Sequence, residues 1–199
     1  MKKLFLSIIA VGMIATGTNA QMRWGAEAGL NMSNVTISPS PSTSPTMAIG
    51  ARVGVIMDYA ITDNFSIQPG VLFAMMGYKV DPITLHLNYI QIPISVLYKF
   101  DAGPGKLFVG LTPYLGYGIS ASWGGAPSGT PDPKFGSADG DIKALDFGIG
   151  AQIGYELPMG LLFRAGYDYG LGNLSNTSGE TVHNTCINIS VGYLFGSNK

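Results

Sequence analysis

The 199-residue chain is poor in the residues that usually carry chemistry: it has one cysteine, two histidines and only 12% charged side chains. A lone cysteine excludes an internal disulfide, so the fold rests on packing and hydrogen bonds. With 11 basic residues against 12 acidic ones, nothing suggests a nucleic-acid partner. No apolar run reaches the length of about 20 residues that a helix needs to cross a bilayer. Helical 3.6-residue periodicity is missing, and 28 glycines disfavour long helices. Phosphate-loop, zinc-spacing, nucleophile-elbow and dinucleotide motifs are also absent. No catalytic, cofactor-binding or metal-binding residues are therefore expected.

What the chain has is alternation. From Asp146 to Leu157, the residues Phe147, Ile149, Ala151, Ile153, Tyr155 and Leu157 share one side. Asp146, Gly148, Gly150, Gln152, Gly154 and Glu156 share the other. A period of two marks a β-strand, and an apolar face opposite a charged, glycine-rich one suits a strand between lipid and a polar interior. Mean hydropathy is +0.26 without a spanning helix, as expected when half of every strand faces lipid.

Residues 1–20 read separately. Lys2 and Lys3 precede an apolar stretch from Leu4 to Ile14, and Thr18-Asn19-Ala20 offers small residues for cleavage. This is the pattern of a secretory signal peptide. Cleavage would leave one domain, residues 21–199, with nine basic and twelve acidic residues and a net charge near −3.

Eight alternating segments follow, at 22–33, 47–60, 65–79, 85–100, 106–120, 142–157, 161–172 and 185–196. Each exceeds the roughly 9–11 residues that a tilted strand needs to cross a bilayer. Short turns at 61–64, 101–105 and 158–160 alternate with longer connections at 34–46, 80–84, 121–141 and 173–184. Short periplasmic turns alternating with longer external loops are expected of an even-stranded barrel. The Ser/Pro-rich first loop and the Gly/Pro/Asp-rich third loop read as mobile and solvated. The expected fold is all-β: an eight-stranded, antiparallel, up-and-down transmembrane β-barrel.

The apolar face runs through Trp24, Val53, Val71, Ile90, Ile92, Ile94, Val96, Leu111, Phe163, Ile189 and Val191. Tyr59, Phe65, Tyr98, Phe100, Tyr155, Tyr193 and Phe195 gather near the short turns, as aromatics do at a membrane–water boundary. The opposite face carries Arg23, Glu27, Arg52, Asp58, Gln68, Gln91, Tyr114, Asp146, Gln152, Glu156, Arg164 and Asp168. Eight strands enclose a space that side chains just fill. Three arginines and five acids are thus expected to interlock as a structural network in a plugged lumen, a conducting lumen being the alternative. A soluble lipocalin-type barrel would reverse the faces. Its interior would then hold rows of Tyr, Phe and Ile that overfill a small barrel.

Several strings resemble the Bacteroidota-type outer-membrane β-barrel family, often labelled "porin family" and including small OmpA/OmpX-like barrels. They are FSIQPGVLFAMMGYK (65–79), LNYIQIPISVLYKF (87–100) with its Tyr-x-x-x-Pro spacing, ALDFGIGAQIGYEL (144–157), YDYGLGNL (167–174) and ISVGYLF (189–195). Together they span essentially the whole expected mature chain. The resemblance implies a bacterial outer-membrane location, contact with outer-membrane lipid and lipopolysaccharide, and biogenesis by the barrel-assembly machinery reading a terminal aromatic, here Phe195. It does not supply an activity, since "porin" as a label is not a pore. Two departures stand out. Gln91 occupies a position where the family often has glutamate, and Gly196-Ser197-Asn198-Lys199 follows Phe195, with no peptidoglycan-binding domain expected after it.

Three sets of residues have a chemical alternative to a structural role. His86 and His183, with Ser175, Ser178 or Ser190, would suit a lipid-modifying Ser/His arrangement; the ordinary reading is polar rim residues at head-group level. Asp139 and Asp141, with Asp132 and Glu180, would suit Ca²⁺, against a solvated hairpin tip. Cys186 reads as a buried, inert thiol. The expectation is an integral outer-membrane protein that is not an enzyme: a structural or surface-interaction scaffold whose external loops meet an extracellular ligand. Its alternative is a narrow porin-like channel for small solutes.

Overall fold

β-Branched and aromatic residues at every second position produce eight strands in the computed structural model, which describes residues 22–40 and 43–195. The expected signal peptide at 1–20 lies outside the described residues, as does the tail after Phe195. The strands are β1(Met22–Ser38), β2(Thr46–Ala60), β3(Phe65–Val80), β4(Ile83–Ala102), β5(Gly105–Gly124), β6(Leu145–Glu156), β7(Leu161–Gly170) and β8(Thr181–Phe195). Each pairs antiparallel with its sequence neighbour. β1 closes on β8 through pairs such as Trp24↔Phe195 and Leu30↔Ile189, giving a closed barrel. Closure removes every free strand edge.

The period-two pattern becomes a pattern of facing. Along Gln91–Lys99 in β4, buried and exposed residues alternate without a break. Outside the wall lie Trp24, Val53, Val71, Ile92, Ile94, Leu111, Phe163, Ile189 and Val191, all exposed. An apolar belt of this extent belongs to a lipid-facing surface. At the short-turn end, Phe65 packs on Tyr98 with centroids 4.9 Å apart, Tyr98 on Phe100 at 6.2 Å, and Tyr193 on Phe195 at 5.2 Å. The Tyr155 hydroxyl donates to the Ala102 carbonyl at 2.7 Å and accepts from the Gly105 amide at 3.0 Å, tying the end of β6 to the turn between β4 and β5.

Several expected boundaries shift, mostly at the opposite end. The expected medium connection at 80–84 is a tight turn, because Val80 pairs with Ile83. β1 continues through Asn34 to Ser38, and β8 begins at Thr181 rather than 185, so these strands project beyond the expected span. β6 begins at Leu145 rather than 142.

The third external connection, 125–144, is held down along part of its length. The Lys143 amide donates to the Leu174 carbonyl at 2.8 Å, and Asn176 Nδ2 donates to the carbonyls of Gly136 (2.9 Å) and Asp141 (3.1 Å). Phe135 turns inward and meets Tyr89 edge-on, with ring centroids 5.6 Å apart.

One irregularity changes what faces the barrel mouth. Asn88 pairs with Ser120 and Tyr89 with Gly118, so Ile119 is an extra residue in β5. Even-numbered residues such as Phe108, Thr112 and Tyr114 point inward below this bulge, whereas Ala121 and Trp123 pack against the interior above it. A one-residue insertion reverses the two faces of a strand.

Candidate functional site

The lumen is where charge collects. Near the short turns, Arg23 of β1, Asp58 of β2, Lys99 of β4 and Glu156 of β6 converge, all buried. Arg23 binds Asp58 at 2.6 Å and Glu156 at 2.5 Å; Lys99 binds Asp58 at 2.9 Å and Glu156 at 3.1 Å. Each cation thus bridges both acids, forming a neutral ring of four charges across the lumen. Gln68 Nε2 adds a hydrogen bond to Asp58 at 3.3 Å. Charges removed from water must be paired and hydrogen-bonded to be tolerated, and this ring meets that need.

Higher in the barrel, Arg164 of β7 binds Glu27 of β1 at 3.1 Å, and Arg52 of β2 lies 3.4 Å from Glu27 and 3.8 Å from Asp168. Arg164 also donates to Gln68 Oε1 and stands over the Phe108 ring, 5.7 Å from its centroid. Asn188 donates to Asp168 at 3.0 Å. Two cations again face two acids. Gln91 is buried and lines, with Arg52 and Arg164, a cavity of about 20 Å³, roughly the space of a single water. Asp146, the fifth inward acid, accepts from Asn184 Nδ2 at 2.9 Å.

Glycines make room for these groups. A Cβ at Gly150 would collide with the Asp168 carboxylate, and one at Gly154 with the Phe108 ring.

The structure therefore gathers Arg23, Asp58 and Glu156 in one ring and Glu27, Arg52, Arg164 and Asp168 in a second cluster. Gln91 lies beside the second cluster, and Asp146 lies apart from both. Sequence reasoning missed Lys99. Its signal was available, since Lys99 shares parity with Gln91 and alternates with outward-facing Tyr98.

Charged inside, apolar outside and closed on itself, the chain matches along residues 18–176 the family described as "Outer membrane protein beta-barrel domain". The chain belongs to this outer-membrane β-barrel family. It is an integral protein of the bacterial outer membrane. Among solved structures it is similar to Neisserial surface protein A, at 19% identity and a TM-score of 0.53, covering 85% of this chain and 96% of that one. The outer membrane enzyme PagL is similar at 11% identity and a TM-score of 0.50, covering 85% and 98%. The attachment invasion locus protein of Yersinia pestis follows at 13% identity and a TM-score of 0.48, covering 88% and 99%. At these identities the likeness to the first two speaks for the fold alone. No curated protein sequence matches the chain.

Within this outer-membrane barrel the remaining candidate residues occupy the wall and the external connections. Ser190 is buried in β8 opposite Arg164, away from the rim. Ser175 Oγ donates to Glu180 Oε2 at 2.6 Å, while Nδ1 of His183 meets the Gly172 carbonyl at 3.0 Å. Ser178 lies exposed in the fourth external connection, and His86 pairs across the sheet with Ser122. Asp132 accepts from the Trp123 amide at 3.1 Å and Asp141 from the Ala138 amide at 3.2 Å; Asp139 is exposed. Among the described residues, no group of three or more His, Cys, Asp or Glu side chains converges on a metal position. Cys186 is buried beside Tyr89 and Leu87 at the outer end of the lumen.

Proposed function

We propose that this outer-membrane barrel is a non-enzymatic structural and surface-interaction scaffold with a closed lumen. The ring formed by Arg23, Asp58, Lys99 and Glu156 carries this reading. An ion entering from the short-turn end would have to break at least two buried charge pairs, whose disruption costs several kcal/mol. The second charged cluster and the packed middle of the lumen add to the barrier. Against a Ser/His hydrolase stand the buried position of Ser190 and the engagement of His183 with a backbone carbonyl.

The purified protein reconstituted in lipid tests both halves of the proposal. In planar bilayers it should give no stable open state, and vesicles carrying lipid A should return every lipid unaltered by mass spectrometry. A sustained single-channel current would favour a narrow channel for small solutes, and a deacylated lipid would favour an enzyme.

Finer assignments belong to the same proposal. The strings quoted from β3, β4, β6, β7 and β8 support membership in the Bacteroidota-type branch, which a phylogeny grouping the chain elsewhere would refute. Residues 1–20 act as a cleaved signal, so the N-terminal peptide of the extracted protein, read by mass spectrometry, should begin at Gln21 and not at Met1. The outward belt contacts lipid and lipopolysaccharide, Phe195 serves recognition by the assembly machinery, and the external loops carry contacts with an extracellular ligand.

A further inference from the structure

The lumen changes character toward its external end. Below are ion pairs; above are Met76, Leu85, Leu87 and Tyr89, packed with Phe135 and Ile142 of the third external connection. Between this layer and the fourth connection lies a chamber of about 210 Å³. Val35, Leu85, Leu87, Ile142, Leu174 and Val182 form its apolar wall. Such a wall around unfilled space forfeits dispersion contacts, and cavities of about 150 Å³ already accept a benzene-sized molecule.

The charged groups at the chamber are of one sign. Asp141 and Glu180 contribute carboxylates, Tyr78, Ser175 and Thr177 hydroxyls, and among the described residues no lysine, arginine or histidine lines the space. Asp141 Oδ2 accepts from the Ala138 amide at 3.2 Å and Glu180 Oε2 from Ser175 Oγ at 2.6 Å, contacts that fix the carboxylates without neutralising them. Apolar volume under two negative charges complements a molecule with an apolar body and a cationic head.

We propose that this chamber binds a small aryl- or alkylammonium compound from the external side. The packed ionic lumen below makes it a receptor-like pocket in which the ligand is held at the surface. Binding there is independent of whether the barrel conducts, so this inference and the closed lumen can fail separately.

Trp123 lines the chamber, and the only other tryptophan, Trp24, faces outward near the short turns. In a Trp24→Phe background in nanodiscs, Trp123 emission reports binding. Phenethylammonium should change it saturably, about tenfold more tightly than the neutral isostere 2-phenylethanol, and phenylacetate should give no response. Asp141→Asn with Glu180→Gln should bring the ammonium to within about threefold of the alcohol and leave the alcohol's own affinity unchanged. Val35→Phe should fill the chamber and remove both responses, with heat-modifiable gel migration verifying that the barrel is intact. An equal response to all three probes, no saturable response to the ammonium, or binding that survives Val35→Phe in a folded barrel would overturn the proposal.

Discussion

Replacing Ile92 by aspartate should impair barrel assembly severely, whereas the same replacement at its neighbour Gln91 should leave a folded barrel. Ile92 projects from β4 into the outward belt, six residues above Tyr98 of the aromatic girdle; Gln91 is buried beside Arg52 and Arg164. A carboxylate on the lipid face deep in the bilayer costs on the order of 2 kcal/mol. The lost burial of the isoleucine side chain adds roughly another 1.5. At Gln91 the new charge faces the cavity that two guanidinium groups line, and the side chain shortens by one methylene. Urea unfolding of the two variants folded into vesicles separates them: a midpoint well below wild type is expected for Ile92→Asp, and one near wild type for Gln91→Asp. Equal losses would mean that the assignment of faces in β4 is wrong.

Arg23→Leu should have the second large effect. Removing this guanidinium leaves Asp58 and Glu156 to share Lys99, with an uncompensated buried negative charge. Breaking a buried pair by deleting one partner typically costs about 3–5 kcal/mol. The double replacement Arg23→Leu with Asp58→Leu restores charge balance around the remaining Lys99–Glu156 pair. It should therefore destabilise by less than the sum of the two single changes, with a coupling of about 1–3 kcal/mol. Additive losses would show that the four charges do not act as a ring.

Much of this architecture is legible from residue order, because membrane barrels impose period two on nearly every residue. Asp146 to Glu156 declares its faces without ambiguity, and so do Arg164 and Asp168 beside Phe163 and Tyr167. Lys99 follows from the same rule, yet its place near a turn hides it among the solvated lysines expected there. Ser190 shows the reverse error: its parity with Asn188 and Gly192 points inward, although its residue type invites a rim role.

Two features leave no local trace. The extra residue at Ile119 looks like ordinary alternation until the register with β4 is known, and it alone turns Trp123 inward. Phe135 sits in a Pro- and Asp-rich run that reads as solvent-exposed loop. A Cβ at Gly118, on β5, would collide with its ring. Trp123 and Ile142 line the external chamber, and neither placement could be read from the sequence.

Quenching by bromine-labelled lipid measures most directly which side of the wall meets the bilayer. In protein lacking Trp24 and Trp123, single tryptophans replace Phe163, which faces outward, and Phe108, which is buried beside Arg164. Strong quenching at 163 with little at 108 is the expected result. The opposite order would contradict the inside-out arrangement on which the charged lumen, the closed pathway and the external pocket all depend.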